Sequence, residues 1–374
     1  MLSFKDIKNN KSNNPFATVA QKYAEDKNEN KLLLTMGMIV NENNQILSLK
    51  SVEKAEKYLA ENQYSKAYPS TAGVAGFLEV SQSLLKLKKS EVSSVATPSC
   101  GAFAVAFDLL KLMGVTKVNV LTPTWPMYYQ FLRNKHLDIG EILYFQNGRV
   151  QFENVVSAIN AMQPNESIIF QAGCYNPVGV DFTAEQFQTL ANLCRNKNVI
   201  PVIDVAYQGI KQSITQDTDF ACFNTNSILI QFFDKNFGIY AEGCSCVHAT
   251  SNNCQQLLED FVSSNFGAVP VHGQYLVETV YKHFFEEYIV EMEAVREQIH
   301  KTKEILFKCL EELGYRGNLK EQNGIFGYFD LNEAQVEKLQ TLGLYVMGGG
   351  RINIGQVNAG NAQYIAECIV KVMQ

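Results

Sequence analysis

Tryptophan is almost missing from this chain: Trp125 is the single one in 374 residues. Arginine is scarce as well, with six residues, so each is a candidate for a task that lysine cannot perform. Nine cysteines are scattered without a CxxC pair, which argues against a zinc site or a disulfide framework and fits buried thiols in a reducing cytoplasm. Cys244 and Cys246 do form a CxC, but strand alternation puts both on one face without implying a metal. No apolar run reaches the roughly 20 residues needed to span a bilayer. The opening MLSFKDIKNNKSNNPF has no apolar core segment and does not read as a secretory signal. An excess of basic charge is also lacking. The net charge is −6 and the pI near 5.5, which excludes nucleic acid or an anionic membrane as the main partner.

What remains is an ordinary globular composition, 46% hydrophobic and 19% charged, in a chain long enough for two domains. Residues 1–15 are polar and Asn-rich, as in a flexible arm. Residues 51–62 read as a short amphipathic helix. From residue 92 a rhythm begins. Strands are predicted at Val92–Thr97, Lys117–Thr122, Glu141–Phe145, Ser167–Ala172, Val199–Asp204, Ser227–Phe233 and Cys244–His248. Helices such as Ala102–Met113 and Thr183–Lys197 fall between them. Strands alternating with helices imply crossovers and an α/β fold with a mostly parallel sheet of seven strands. Their near-continuous apolar character predicts that both sheet faces are covered. Tyr275–Leu313 reads as a long helical stretch broken once, and Leu319–Gln374 as a small α+β unit.

Open α/β sheets gather ligands at the carboxyl ends of their strands, and four such ends carry unusual residues. Ser99-Cys100-Gly101 precedes a helix, where backbone N–H groups and the helix dipole suit a phosphate. Asn176 sits in a tight Asn-Pro turn. Asp204 closes an apolar strand, a place where a carboxylate is rare unless paired. Lys235 follows another apolar strand. Held in a pocket, it would be a nucleophile for condensation with an aldehyde. A phosphate cup, a lysine and an acidic partner for a pyridine nitrogen are together what a pyridoxal 5'-phosphate enzyme needs.

The chain resembles the aspartate/aromatic-amino-acid aminotransferases, pyridoxal-phosphate enzymes of fold type I, from about residue 15 to the C-terminus. The likeness is carried by LLTMGM at 33–38, SKAYP at 65–69, TPTW at 122–125, NPVG at 176–179, DVAYQG at 204–209, KNFGIY at 235–240, PVHG at 270–273 and GRIN at 350–353. It implies that Lys235 carries the cofactor and moves the proton, that Asp204 pairs with the ring nitrogen, and that Asn176 and Tyr207 hold the phenolic oxygen. Trp125 would stack on the ring, and Ser99, Cys100 and Gly101 would form the phosphate loop. Tyr68 would reach the phosphate of a neighbouring subunit, which implies a homodimer with shared sites. Arg351 would clamp the substrate α-carboxylate, with Gly37 on the segment covering the substrate. It also implies three chain segments: 1–45 as N-terminal arm and part of the small domain, 46–300 as the large cofactor-binding domain, and 301–374 as the C-terminal small domain.

The chain departs from that family at three positions. Gly243 stands where the family has a phosphate-binding Arg, Phe232 where it has a phosphate-binding Ser, and Ser263 where its aspartate enzymes have an Arg that reaches the distal carboxylate from the partner subunit. The expected activity is therefore transfer of an amino group between an amino acid and a 2-oxo acid, without a basis for dicarboxylate preference. Phe261, Val262 and Phe266, flanking Ser263, are consistent with an apolar side chain there, or are simply core. Two other readings use the same residues: a lyase or decarboxylase with the same cofactor, and a non-catalytic or weakly cofactor-binding relative.

Overall fold

The structure, a computed structural model, describes residues 14–41 and 45–374. Seven strands form its main sheet: β1 (Ser93–Pro98), β2 (Lys117–Thr122), β3 (Asp138–Leu143), β4 (Glu166–Gln171), β5 (Ile200–Val205), β6 (Ile228–Phe232) and β7 (Cys244–Ala249). Their spatial order is β1-β7-β6-β5-β4-β2-β3. Only β7 runs against its neighbours. The carboxyl ends of the other six strands therefore lie along one edge of the sheet, where β7 begins.

Six of these strands lie within one residue of their predicted ends. The third does not. Glu141–Phe145 was expected, whereas β3 spans Asp138–Leu143. It is an edge strand with a half-exposed, charge-bearing face. The apolar signal came from Tyr144 and Phe145, which are buried just beyond it. The predicted arm also ends early. Residues 1–13 lie outside the described residues, but a helix begins at Pro15 and runs to Glu25, with Asn14 capping it through a 3.0 Å bond from the Phe16 N–H. The long C-terminal helical stretch breaks once, at Phe284, between helices His272–His283 and Phe285–Glu312.

Strand alternation sorts the sheet side chains into two cores. Val118, Ile169, Val202 and Ile230 face one, and Leu121, Phe170, Ile203 and Leu229 face the other. Cys244 and Cys246 both point into the first, and all nine cysteines are free. A third core joins Leu34 to residues 306–372, where Leu32–Leu33 pairs in parallel with Leu344–Tyr345. Helix Phe285–Glu312 belongs to two of them. Its Tyr288, Met292, Val295 and Ile299 pack into the first core, and its Leu306, Phe307 and Leu310 into the third. Among the described residues no helix is long and apolar enough to cross a membrane.

Candidate active site

A cavity of about 440 Å³ opens at the carboxyl edge of the sheet, beside the third core. Ser99 and Cys100 enter it after β1, Trp125 after β2, Asn176 after β4, Asp204 and Tyr207 at the end of β5, and Lys235 after β6. Gly37 and Arg351 line it from the N-terminal strip and the third core. Of the residues expected to hold cofactor or substrate, Gly101 and Tyr68 do not line it. Gly101 opens helix Gly101–Leu112, where an added Cβ would come within 2.7 Å of the Phe266 ring, so the close packing behind the loop requires glycine. Tyr68 is 92% exposed, on a separate surface depression with Tyr64, Lys66, Pro270 and His272.

Asp204 is buried, and its Oδ2 accepts a short hydrogen bond from the Tyr128 hydroxyl. Its Oδ1 has no partner among the described residues. Burial pushes the carboxyl up to about 6, against the Tyr128 bond and the Lys235 charge, which both favour the anion. Tyr128 is held by an aromatic cluster, edge-on to Trp125 at 5.3 Å and to Phe103 at 5.4 Å. The Lys235 ammonium lies 4.9 Å from the centre of the Tyr207 ring and 5.7 Å from that of Phe232.

Arg351 ties three segments together. Its Nη1 donates to Asn176 Oδ1 at 3.1 Å and its Nη2 to the Thr35 carbonyl at 2.8 Å, while Nε has no partner among the described residues. The guanidinium stands 4.1 Å from the Phe326 ring and is 3% exposed. Burial lowers its pKa to about 10, still far above neutrality, so the charge is kept. The Asn176 turn is clamped by Gln171, which accepts from the Asn176 N–H at 2.8 Å and donates to the Asn176 carbonyl at 3.0 Å. Asn176 Nδ2 in turn points to the Tyr207 hydroxyl at 3.5 Å. Gly37 is placed by Asn353, whose Nδ2 donates to the carbonyls on either side, Met36 at 2.9 Å and Met38 at 2.7 Å.

Sequence reasoning missed several lining or supporting residues, among them Phe16, Tyr128, Gln171 and Asp234. Tyr128 was within reach, because it lies one helical turn beyond Trp125. Asp234 stands directly before Lys235. Of the two readings of the residues flanking Ser263, the packing within the chain fits core. Val262 is fully buried and Phe261 and Phe266 pack on the first core, while Ser263 is exposed on helix Gln255–Phe266 and does not line the cavity. Their apolar character answers to helix packing rather than to a ligand.

Comparison with known proteins matches the same architecture. The family model described as aminotransferase class I and II covers residues 29–369. The chain belongs to that family. It is 30% identical to the aspartate aminotransferase of Escherichia coli (strain K12), over 96% of this chain and 97% of that one. It is 26% identical to the tyrosine aminotransferase of Rhizobium meliloti (strain 1021), over 95% and 96% of the two chains. Among solved structures, the aromatic-amino-acid aminotransferase of Burkholderia pseudomallei, covalently bound to pyridoxal phosphate, superposes with a TM-score of 0.92 over all of both chains at 23% identity.

The half-satisfied Asp204 predicts a pH-dependent stability. Its pKa is raised in the folded protein, so the folded state holds a proton that the unfolded chain releases near pH 4. Stability is therefore lost as pH rises from about 4 through about 6. In cofactor-free protein, Asp204→Asn is expected to raise stability at about pH 8 by up to about 3 kcal/mol, with the gain vanishing near pH 4. Urea unfolding of both proteins across that range checks it. An equal difference at both ends would contradict the assignment.

Proposed function

We propose that this chain is a pyridoxal 5'-phosphate-dependent aminotransferase that moves an amino group between an amino acid and a 2-oxo acid. The observation that carries the reading is the buried Asp204 Oδ1 without a protein partner, on the same cavity as Lys235. A pyridinium N–H is the donor that such an oxygen lacks, so the residues present fit the cofactor ring. When bound, the cofactor supplies an electron sink for charge developing at the substrate Cα.

The chain's own residues do the rest. Lys235 Nζ would hold the cofactor by its aldehyde and would serve as the base that takes and returns the substrate Cα proton. Asp204 keeps the ring nitrogen protonated, and Tyr128 holds that carboxylate in place. The Tyr207 hydroxyl and Asn176 amide donate to the phenolic oxygen. Trp125 covers the ring. Arg351 Nε remains to receive an α-carboxylate. The nine free thiols suit a cytoplasmic location. The third core acts as the small domain, to which the N-terminal segment before residue 46 contributes through Leu32 and Leu34, with 46–300 forming the large domain and 301–374 the rest of the small one.

Exposed Tyr68 supports a homodimer with shared sites, in which its hydroxyl reaches the partner's cofactor phosphate. In that homodimer the residue facing the distal part of the substrate would be Ser263 of the partner subunit, which carries no charge, and leaving a distal carboxylate buried and unpaired in the site would cost several kcal/mol. Amino donors with aromatic or neutral side chains escape that penalty.

Lys235→Ala is expected to abolish both the borohydride-reducible adduct with pyridoxal phosphate and amino-acid-dependent turnover. A single-site adduct surviving in that variant would refute the assignment. Product analysis with and without a 2-oxo acid separates an aminotransferase, which needs the acceptor, from a lyase or decarboxylase, which does not.

Mixing Lys235→Ala chains with Tyr68→Ala chains should restore part of the activity through hybrid dimers. A fully active monomer in sedimentation at micromolar concentration is the result that rules the shared site out.

Comparison of kcat/KM for aspartate, glutamate, phenylalanine, tyrosine and neutral aliphatic donors should show no dicarboxylate preference. Aspartate favoured over phenylalanine by more than about tenfold, roughly 1.4 kcal/mol in transition-state binding, would overturn it.

A further inference from the structure

At the loop that opens helix Gly101–Leu112, the cavity contains a second buried carboxylate. Asp234 is 8% exposed and lines the cavity with Ser99, Cys100 and Phe232. It is already well bonded: Ser99 Oγ donates to its Oδ2 at 2.7 Å, and the Cys244 N–H to its Oδ1 at 2.9 Å. The loop that opens helix Gly101–Leu112, the natural seat for an anion, has thus committed its hydroxyl to an anion of the protein itself. The charge that partly offsets it is the Lys235 ammonium, the group expected to be taken up by the cofactor aldehyde. Gly243 lies against the same loop, accepting from the Ser99 N–H at 2.7 Å, and a Cβ there would stand 3.6 Å from that of Ser99. A long basic side chain at 243 would start beside Ser99, but the residue is glycine. Position 232 adds only an aromatic ring.

A dianionic phosphate entering at this loop therefore meets a carboxylate rather than a guanidinium. Two anions sharing a buried space do not both stay fully ionised. We infer that this cavity takes up the cofactor's phosphate together with one proton, held between the Asp234 carboxyl and a phosphate oxygen. The inference rests on the cofactor assignment above. The titratable groups that face Asp234 are the Lys235 ammonium next to it, the Cys100 thiol at the helix start, the Cys244 thiol at the start of β7 and the Tyr240 phenol. Burial raises the Asp234 carboxyl and outweighs the Ser99 hydroxyl bond, the Lys235 charge and the Cys244 N–H, which all favour the anion, so it already sits above the ordinary range before any phosphate arrives. Burial also holds the Cys100 and Cys244 thiols and the Tyr240 phenol above their usual values, so none of the three supplies a competing titration near neutrality.

The consequence is a phosphate contribution to affinity that falls with rising pH. Pyridoxamine 5'-phosphate and pyridoxamine, which differ by the phosphate and cannot condense with Lys235, isolate that contribution. Their dissociation constants are measured by fluorescence between about pH 7 and 8.5, where a free phosphate monoester is already mostly dianionic. The advantage of the phosphorylated probe is expected to shrink by about tenfold per pH unit, the slope of one-proton linkage. In Asp234→Ser it should be nearly flat, and at the upper pH at least about tenfold larger than in the unaltered protein. Asp234→Asn, which keeps the size of the side chain, should flatten it too and guards against a packing defect in the serine variant. A pH-independent ratio in the unaltered protein, or an unchanged slope in both variants, overturns the inference alone. Failure of both probes to bind, with no reducible adduct at Lys235, would remove the cofactor assignment and this inference with it.

Discussion

A carboxylate buried at the end of a parallel strand is the constraint around which this molecule is arranged. Asp204 closes β5 in the middle of a sheet covered on both faces, where an ion loses most of its hydration. One oxygen is satisfied by Tyr128, and that hydroxyl can point at it only because Phe103 and Trp125 pack edge-on to the Tyr128 ring. The other oxygen is left without a protein donor. A native core rarely keeps such an atom unless something else is meant to meet it. The cost is therefore best understood as stability held back for a ligand, in keeping with strain and unsatisfied groups gathering at functional sites.

The second organising contact is Arg351. Its side chain comes from the third core, yet its donors end on the β4 turn and on the N-terminal strip. Thr35 and Asn176 are 141 positions apart in sequence and meet only through this guanidinium (176 − 35 = 141). Helix Phe285–Glu312 fixes the distance they must span, since it packs into both the first core and the third. A lysine could neutralise an anion here but could not supply planar donors in two directions. Scarcity of arginine in the chain thus coincides with a site where the guanidinium shape matters.

Much of this was legible in the sequence because it is local. Buried strands announce themselves by apolar β-branched runs, and the residue after such a run is placed at the sheet edge by topology alone. Asp204 and Lys235 could be singled out on that basis. Edge strand β3 could not be bounded, because half of it faces solvent and carries no apolar signal. The partnership of Tyr128 with Asp204 joins residues 76 apart, and that of Phe16 with Arg351 joins opposite ends of the chain. Neither leaves a periodic trace. Gly101 shows the reverse case. Its smallness suited a phosphate loop, while the structure gives it a packing reason as well, the Phe266 ring behind it.

Two carboxylates then line one cavity with opposite bonding states. Asp204 has a vacant acceptor and so calls for a donor. Asp234 has a donor on each oxygen and so calls for none. Residue type alone cannot separate these roles, and burial does not either, since both are buried and both are raised by it. The difference lies in what each oxygen already touches. An incoming ring N–H completes the first carboxylate without displacing anything. An incoming phosphate at the second must either compete for the Ser99 hydroxyl or bring its own proton, and of the two only the proton leaves the loop that opens helix Gly101–Leu112 as it is.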